Sequence, residues 1–301
     1  MKKFLSLGPV LIVIAAVLWA LDGILRRSLY SLPPVTIVFY EHLIGSLLLL
    51  PVVGQLTKVK WTVKVGVLTG IIALLSGLLG TLWFTTALLK VNFIPFSVVF
   101  LLQKLQPIFA ISSATLLLRE RVSLKFIAWS ALAFIAAYFV TFPGGYVNFA
   151  TGAGTVVAAL FALGAAAAWG TSTTFSKMLL SEVTNTQATT LRFYTTTVIS
   201  LGAVFFLGQQ ASLTTLGISE ASRLLFIALS TGMVALWIYY KGLQKVKAST
   251  STILELVFPM LAVFIDAVLY GVVLDWSQYL AAGILLFSIY MLGKLEVRHR
   301  E

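Results

Sequence analysis

The amino-acid sequence predicts an all-α integral membrane protein with ten transmembrane helices in two inverted repeats of five helices each. Three observations predict this fold class. Of the 301 residues, 59% are hydrophobic and only 10% are charged, whereas soluble proteins carry about 25% charged residues. The apolar residues form runs about as long as a membrane span. The two halves of the chain also resemble each other in the order of their matched residues.

Ten apolar runs are separated by polar breaks, and most are about long enough to cross a hydrocarbon core of ~30 Å. Backbone polar groups in lipid must be satisfied within their own segment, so runs of this length are predicted to be helices. The predicted helices cover residues 9–30, 34–54, 63–89, 95–118, 124–142, 153–180, 186–207, 221–241, 250–270 and 278–292. The short linkers leave no room for a soluble domain.

Lysine and arginine are distributed unevenly between the two ends of these helices. With the N-terminus inside, fifteen lie at inner ends and four at outer ends, namely Arg26, Arg27, Lys90 and Arg223. Positively charged loops stay in the cytoplasm, so both termini are predicted to be cytoplasmic. The net charge of +11 is therefore interpreted as an orientation signal, and no nucleic-acid partner is expected. We expect a multi-pass protein of a prokaryotic cytoplasmic (inner) membrane, in contact with lipid.

Residues of the first half recur in the second half at an offset of 150 to 154 residues. The matched positions are Trp19-Ala20 with Trp169-Gly170, Glu41 with Arg192, Leu82-Trp83 with Leu236-Trp237, and Pro107 with Pro259. The halves are assigned to residues 1–148 and 149–301. Five helices is an odd number, so the second repeat is predicted to be inverted in the membrane. Inverted repeats are a recurrent transporter architecture, with substrate held between the repeats near the midplane.

These features resemble the EamA-like branch of the drug/metabolite transporter superfamily. The resemblance rests on the Trp-Gly-type pairs, on the proline of the fourth helix, and on the following LLLRERVS at 116–123. The second copy, VVLDWSQ at 272–278, keeps only the acid, as Asp275. The resemblance implies a solute carrier, often an exporter of amino acids or other small metabolites. The family often has arginine early in the second helix of a repeat, as Arg192 is here, whereas the first half has Glu41 followed by His42.

Charged residues inside the apolar runs are the best functional candidates, because each costs ~2.5–3.5 kcal/mol at the centre of a span. They are Asp22, Glu41, Lys104, Arg192, Glu255 and Asp266, with His42 also titratable. Two cations against four acids favour a cationic or zwitterionic substrate, a coupling proton, or carboxyls that are protonated at rest.

Each of these residues has alternative interpretations. Glu41 either binds an ammonium group or a proton, or forms a structural ion pair with Lys104 or another helix. Lys104 either binds a carboxylate or neutralises Asp22 or Glu41. Arg192 either binds a substrate carboxylate, or pairs with Glu255 as a cytoplasmic gate, or forms a purely structural pair.

Asp22 lies four residues before Arg26, so a local ion pair is an alternative to a binding role. His42 is interpreted as a packing histidine, because it points about 100° away from Glu41 on the helix. Asp266 is interpreted as a structural or outer-vestibule acid.

Gln103 and Glu255 each lie four residues before one of the matched prolines, Pro107 and Pro259. A proline inside a helix disturbs the carbonyl at that position, and interrupted helices at matching positions of two repeats indicate a transporter site. The alternative is that the prolines only shape packing. Trp19 and Trp169 either contact an organic solute or pack in the core.

Motifs for other chemistry are absent from the sequence. There is no Walker A motif, there are no cysteines, and the only histidines, His42 and His299, are far apart. We therefore expect no cofactor, no metal site and no enzymatic activity. The leading hypothesis is a secondary transporter, working as an exporter, that moves a small amine-bearing metabolite such as an amino acid through a central cavity by alternating access. The alternatives are a proton-coupled multidrug or organic-cation exporter, and a membrane enzyme or lipid-handling scaffold. A functional monomer is compatible with a repeat contained in one chain.

Overall fold

A computed structural model of the protein describes residues 7–90, 103, 105–141, 143–146, 154–270 and 275–298. In this part of the chain the regular structure is helical, and no strand is present. The first half contains α1 (Leu7–Ala20), α2 (Asp22–Arg27), α3 (Pro34–Leu48), α4 (Val63–Ile72), α5 (Thr81–Leu89), α6 (Gln106–Leu117) and α7 (Leu124–Thr141). The second half contains α8 (Gly154–Leu179), α9 (Asn185–Phe206), α10 (Ile218–Leu229), α11 (Met233–Leu243), α12 (Ala248–Leu254), α13 (Val257–Tyr270) and α14 (Trp276–Arg298).

Among the described residues, three helical segments are long and apolar enough to cross a membrane: Val63–Leu89, Val157–Leu179 and Ile218–Leu243. Four shorter apolar helices accompany them: Leu7–Ala20, Gln106–Leu117, Leu124–Val140 and Trp276–Leu292. These lengths and compositions agree with a helical protein that crosses the membrane several times. The count of ten spans and the cytoplasmic termini remain predictions.

The second predicted helix, 34–54, is not straight. The α-helix α3 ends at Leu48, and a 3-10 helix, Leu50–Lys58, follows at an angle of 77°. Pro51 lies at the start of this segment, where its ring and its missing N–H prevent an α-helix from continuing.

Three further helices that the sequence predicts as continuous are interrupted. The first is broken at Leu21, the eighth at residues 230–232, and the ninth between α12 and α13 at Glu255 and Leu256. In the eighth, the N–H of Gly232 donates to the carbonyl of Ile227, five residues back, over 2.7 Å. Apolar run length does not reveal such breaks, because the polar residues in them are few.

Two pairs of interruptions occur at matched positions of the two halves. Residues Ala73–Gly80, between α4 and α5, form a π-helix, and the break at 230–232 lies at the corresponding place in the second half. Likewise α6 begins at Gln106 after a turn at Leu105, and α13 begins at Val257 after the turn at Glu255 and Leu256. The backbone therefore departs from α-helical geometry at equivalent sequence positions of both repeats.

The two halves pack against each other and do not form separate units. The main helix contacts pair α7 with α14, α6 with α8, α1 with α11, and α3 with α9, and each pair joins the first half to the second. Small residues allow the close approach. A Cβ atom on Gly170 of α8 would lie 2.5 Å from the carbonyl oxygen of Gln106, which shows how tightly α8 packs on α6.

Glu120, in the turn after α6, connects the halves by a different contact. Its carboxylate accepts hydrogen bonds from the N–H of Ala248 (2.8 Å), the N–H of Ser249 (3.1 Å) and the hydroxyl of Ser249 (2.6 Å). These groups lie at the first turn of α12, where backbone N–H groups have no partner within the helix. Glu120 therefore caps a helix of the other half.

Replacing Glu120 by alanine should lower the stability of the protein by about 1–2 kcal/mol, because three hydrogen bonds to a carboxylate are lost. The E120A and E120Q variants would be compared by thermal unfolding in detergent, with E120Q losing less because it keeps an acceptor oxygen. Glu182, in the exposed Lys64–Glu182 ion pair, supplies the control variant E182A. Equal unfolding temperatures for E120A and E182A would contradict this role.

Candidate functional site

A cavity of about 170 Å³ lies between the two halves, and both contribute to its wall. It is lined next to the interruptions: Ser76 and Thr81 come from the π-helical region, and Gln103, Gln106 and Pro107 from the start of α6. The second half contributes the equivalent region. Its lining residues there are Thr231, Gly232 and Leu236 around the break at 230–232, and Thr252, Glu255, Leu256 and Phe258 around the α12–α13 break.

A charged cluster borders one part of the cavity and consists of Asp22, Arg26, Glu41 and Thr231. The Nη2 of Arg26 donates to Glu41 over 2.7 Å, and its Nε donates to Asp22. The hydroxyl of Thr231 donates to the other oxygen of Asp22 over 2.6 Å. All four residues are at least 91% buried. Glu41 thus forms an ion pair with another helix, and Asp22 forms the local pair that its spacing allows.

Glycine at position 232 leaves room for this cluster. A Cβ atom there would lie 3.2 Å from Oε1 of Glu41 and 3.2 Å from the carbonyl oxygen of Ile227. The break at 230–232 therefore places two groups against carboxylates of the first half. The hydroxyl of Thr231 donates to Asp22, and the backbone of Gly232, which has no side chain, lies next to Glu41.

The second polar part of the wall is centred on Glu255. The amide of Gln106 donates to Oε2 of Glu255 over 3.0 Å, and the hydroxyl of Tyr239 interacts with the same carboxylate. Gln103, at the position that matches Glu255, is buried, and its Oε1 has no hydrogen-bond partner within the described residues. Glu255 is therefore held by neutral donors and not by a cation of the described chain.

Arg192 lines the cavity from α9. Its Nη1 donates to the hydroxyl of Tyr240 over 3.3 Å, while its Nε is buried without a partner among the described residues. No ion pair joins Arg192 and Glu255, both of which the structure describes: Arg192 donates to Tyr240, and Glu255 accepts from Gln106. The guanidinium keeps donor capacity toward the cavity.

His42 also lies at the cavity, but its contacts are those of a packed side chain. Its Nδ1 is 2.8 Å from the carbonyl oxygen of Val38, and its ring centroid lies 5.0 Å from that of Phe193. These contacts agree with the interpretation of His42 as a packing histidine.

Aromatic residues form two pairs on the cavity wall. The ring centroids of Trp19 and Tyr239 are 5.1 Å apart, and those of Phe84 and Trp169 are 5.2 Å apart. The indole N–H of Trp169 donates to the carbonyl of Ser76 over 3.2 Å, a carbonyl of the π-helix. The matched tryptophans of the two repeats therefore both contribute ring surface to the same cavity.

The structure brings together most of the residues that the sequence predicts for the site. The lining includes Trp19, Asp22, Glu41, His42, Gln103, Pro107, Trp169, Arg192 and Glu255. Lys104 lies outside the described residues. Pro259 and Asp266 are part of α13, and their side chains lie outside the described part of the chain.

Sequence reasoning missed several residues of the wall. Arg26 was assigned to an outer helix end, but it is 96% buried and lines the cavity. Its spacing of four residues from Asp22 was the available signal. Thr231, Gln106, Ser172 and Tyr239 carry no charge, so a search for charged residues in apolar runs does not find them.

The chain is similar to known proteins over nearly its whole length. The model of the EamA-like transporter family matches the chain twice, over residues 6–142 and 156–294. The riboflavin transporter ImpX of Fusobacterium nucleatum subsp. nucleatum is 35% identical over 294 residues, which cover 96% of this chain and 98% of the relative. The fold also matches the crystal structure of a protein whose sequence is 16% identical to this chain. The match has a TM-score of 0.74 and covers 97% of this chain and 98% of that chain. That similarity concerns the fold alone.

Proposed function

Because the chain belongs to the EamA-like transporter family, we propose that it carries riboflavin, or a similar planar heteroaromatic solute, across the membrane. The family and the ImpX relative identify a small-molecule transporter of the membrane, and not an enzyme. The choice of substrate is our inference from the relative and from the chemistry of the cavity. It replaces the amino acid expected from the sequence as our first candidate.

The observation that supports this substrate is the combination of ring surface with unpartnered polar atoms on one cavity wall. Riboflavin has a flat three-ring system with an imide edge, and a chain of hydroxyl groups. The ring of Trp19, which is paired with Tyr239, and the ring of Trp169, which is paired with Phe84, offer surfaces for stacking. The Oε1 of Gln103 and the hydroxyls of Ser172 and Thr252 belong to lining residues and are buried without a partner among the described residues, and a polar solute that reached them would satisfy them.

Transport is proposed to proceed by alternating access. Interrupted helices at matched positions of two repeats occur in transporters at the substrate site, where the repeats move against each other. Here the π-helix, the break at 230–232 and the two turns before α6 and α13 all border the cavity. These segments are the proposed places at which the helices bend during transport.

An amine-bearing metabolite, such as an amino acid, is the second candidate. The specific observation in its favour is Glu255, whose partners in the described structure are an amide and a hydroxyl rather than a cation. A substrate ammonium group would complete this site, and Arg192 would bind the carboxylate. Export is the proposed direction for either solute, and a sided flux measurement tests it.

The purified protein in proteoliposomes should transport riboflavin, followed by its fluorescence, and should not transport amino acids at comparable rates. Replacing Trp19 by leucine should weaken riboflavin binding about 2- to 10-fold, because ring contacts of this kind contribute ~0.5–1.5 kcal/mol. Trp276, which is 73% exposed, provides the control W276L, with unchanged affinity.

Amino-acid flux without riboflavin flux would reject our first candidate and favour the second. Equal loss of riboflavin binding in W19L and W276L would show that the effect does not arise at the cavity. Resistance to aromatic cations without either flux would instead favour an organic-cation exporter.

A further inference from the structure

We propose that Arg192 selects the solute by binding two neighbouring acceptor atoms on the edge of a planar heterocycle, such as a ring carbonyl oxygen and the ring nitrogen beside it. This inference rests on the proposed transport function, and it names the part of the substrate that this residue recognises. The expected ligands are flavins and other heterocycles with such an edge. Flat ring systems without two neighbouring acceptors should gain nothing from Arg192.

Two arginines line the cavity, and the described structure gives them different partners. The guanidinium of Arg26 donates to the carboxylates of both Asp22 and Glu41. Arg192 forms no ion pair with the described residues, and its side chain makes one hydrogen bond to them, from Nη1 to the hydroxyl of Tyr240 over 3.3 Å. The charge of Arg26 is therefore balanced by carboxylates, whereas no described group balances that of Arg192.

The guanidinium of Arg192 keeps donors that a ligand could use. Its Nε is buried without a partner among the described residues, and its Nη2 makes no hydrogen bond with them. The side chain is only half-buried, and it lines the cavity. Charged groups inside a membrane protein are costly, and they mark functional sites when no structural partner accounts for them. We therefore assign the free donors of Arg192 to the solute.

The first turns of α9 hold Arg192 in place. The helix begins with a capping box, in which Thr184 accepts from the N–H of Gln187 and the side chain of Gln187 accepts from the N–H of Thr184. Phe193 packs so closely on α3 that a Cβ atom on Gly45 would lie 2.3 Å from its ring. The guanidinium is therefore presented to the cavity from a backbone that is fixed on both sides of it, as precise recognition requires.

The geometry of a guanidinium decides which part of the solute it binds. Its N–H groups form a planar fork, which suits two acceptors that lie side by side in one plane. Riboflavin has such pairs on its ring system, because each carbonyl of the imide ring stands beside a ring nitrogen that carries no hydrogen. The hydroxyl chain is flexible and does not hold two acceptors in one plane. In this binding mode, Trp19 and Trp169 contact the face of the ring system while Arg192 contacts its edge.

Loss of the guanidinium should leave the fold intact. In R192Q, Tyr240 keeps its contact with the hydroxyl of Ser176 at 3.2 Å, and no described carboxylate loses a cation. An interior charge without a counter-ion is itself unfavourable. Without solute, R192Q should therefore unfold at the same temperature as the unmodified protein or at a higher one. Riboflavin should raise the unfolding temperature of R192Q less than that of the unmodified protein.

The test measures the affinity of the full chain in detergent for three compounds by isothermal titration calorimetry. Riboflavin and lumiflavin share the ring edge, and lumiflavin lacks the hydroxyl chain. Phenazine is a flat three-ring heterocycle without a carbonyl and without two neighbouring acceptors. R192Q should bind both flavins about 10- to 100-fold more weakly, because hydrogen bonds from a charged donor are lost. R192K should also bind them more weakly, since lysine keeps the charge but lacks the fork. Phenazine should be bound equally by the unmodified protein and by R192Q, or by neither.

R223Q is the matched control, because Arg223 is exposed and donates to the carbonyl of Ser28, and it should bind riboflavin like the unmodified protein. Riboflavin affinity that is unchanged in R192Q and R192K would overturn the inference and leave the proposed substrate standing. Arg192-dependent binding of lumiflavin without binding of riboflavin would reject the proposed substrate and support the inference. A loss of phenazine binding equal to that of the flavins, a lower unfolding temperature of R192Q without solute, or no binding of either flavin would each overturn recognition of the ring edge.

Discussion

Replacing Arg26 by glutamine should destabilise the protein more than any other substitution considered. The change leaves the carboxylates of Asp22 and Glu41 buried without the cation that both contact. Breaking a buried ion pair by removing one partner costs about 3–5 kcal/mol, because the charge that stays behind is uncompensated. We expect a large decrease in the unfolding temperature of R26Q, measured in detergent by intrinsic tryptophan fluorescence.

The R26Q result can be assigned to charge rather than to lost packing. The triple variant D22N/R26Q/E41Q removes all three charges and should be more stable than R26Q alone. R223Q is the matched control, because Arg223 is exposed and donates to a backbone carbonyl at the helix end. A triple variant no more stable than R26Q would contradict the charge explanation.

Replacing Gly170 by alanine should both destabilise the protein and abolish most of its transport. The added Cβ atom would lie 2.5 Å from the carbonyl oxygen of Gln106 and 2.9 Å from Cβ of Phe109. Backbone cannot move aside as a flexible side chain does, so α8 and α6 must separate. Overpacking of this kind costs about 1–3 kcal/mol. The displaced residue, Gln106, donates to Glu255, so the cavity wall changes together with the helix contact.

Gly202 provides a control with the same chemical change. It lies in α9, and a Cβ atom there would have no neighbour within 4 Å. Alanine is a better helix former than glycine by up to about 1 kcal/mol, so G202A should be as stable as the unmodified protein or more stable. Unfolding temperature and riboflavin flux would be measured for both variants. Unchanged flux in G170A would contradict the importance of the α6–α8 contact.

Much of the fold follows from the length of the apolar runs, while the interruptions follow only in part. Pro51, Pro107 and Pro259 are visible in the sequence and lie at or beside bends and breaks. The break at Leu21 has no proline. It occurs where α2 is hydrogen-bonded to Glu41 of α3 and to Thr231 in the break at 230–232. Such contacts are tertiary, and periodicity along one helix does not contain them.

The candidate site was predictable to the extent that its members are charged or recur in the two halves. The cost of a charge in lipid identifies Glu41 and Glu255, and the repeat identifies Trp19 and Trp169. Neither the cost of a buried charge nor the repeat reveals the partners of these residues. Arg26 was placed at a helix end because only its distance from the next polar break was considered. Its role as a shared cation depends on Glu41, fifteen residues away in the sequence.

The matched interruptions have a consequence for the balance between the two forms that alternating access requires. If the repeats were identical in sequence, a two-fold rotation about an axis in the membrane plane would convert the form open to one side into the form open to the other, and the two would be equally populated. Under the proposed alternating access, the matched backbone breaks would keep the two forms of this chain close in energy, and the exchange of Glu41 for Arg192 at equivalent positions would make them unequal. The positions at which the halves differ would therefore determine the resting population, and a ligand shifts it by its difference in affinity for the two forms.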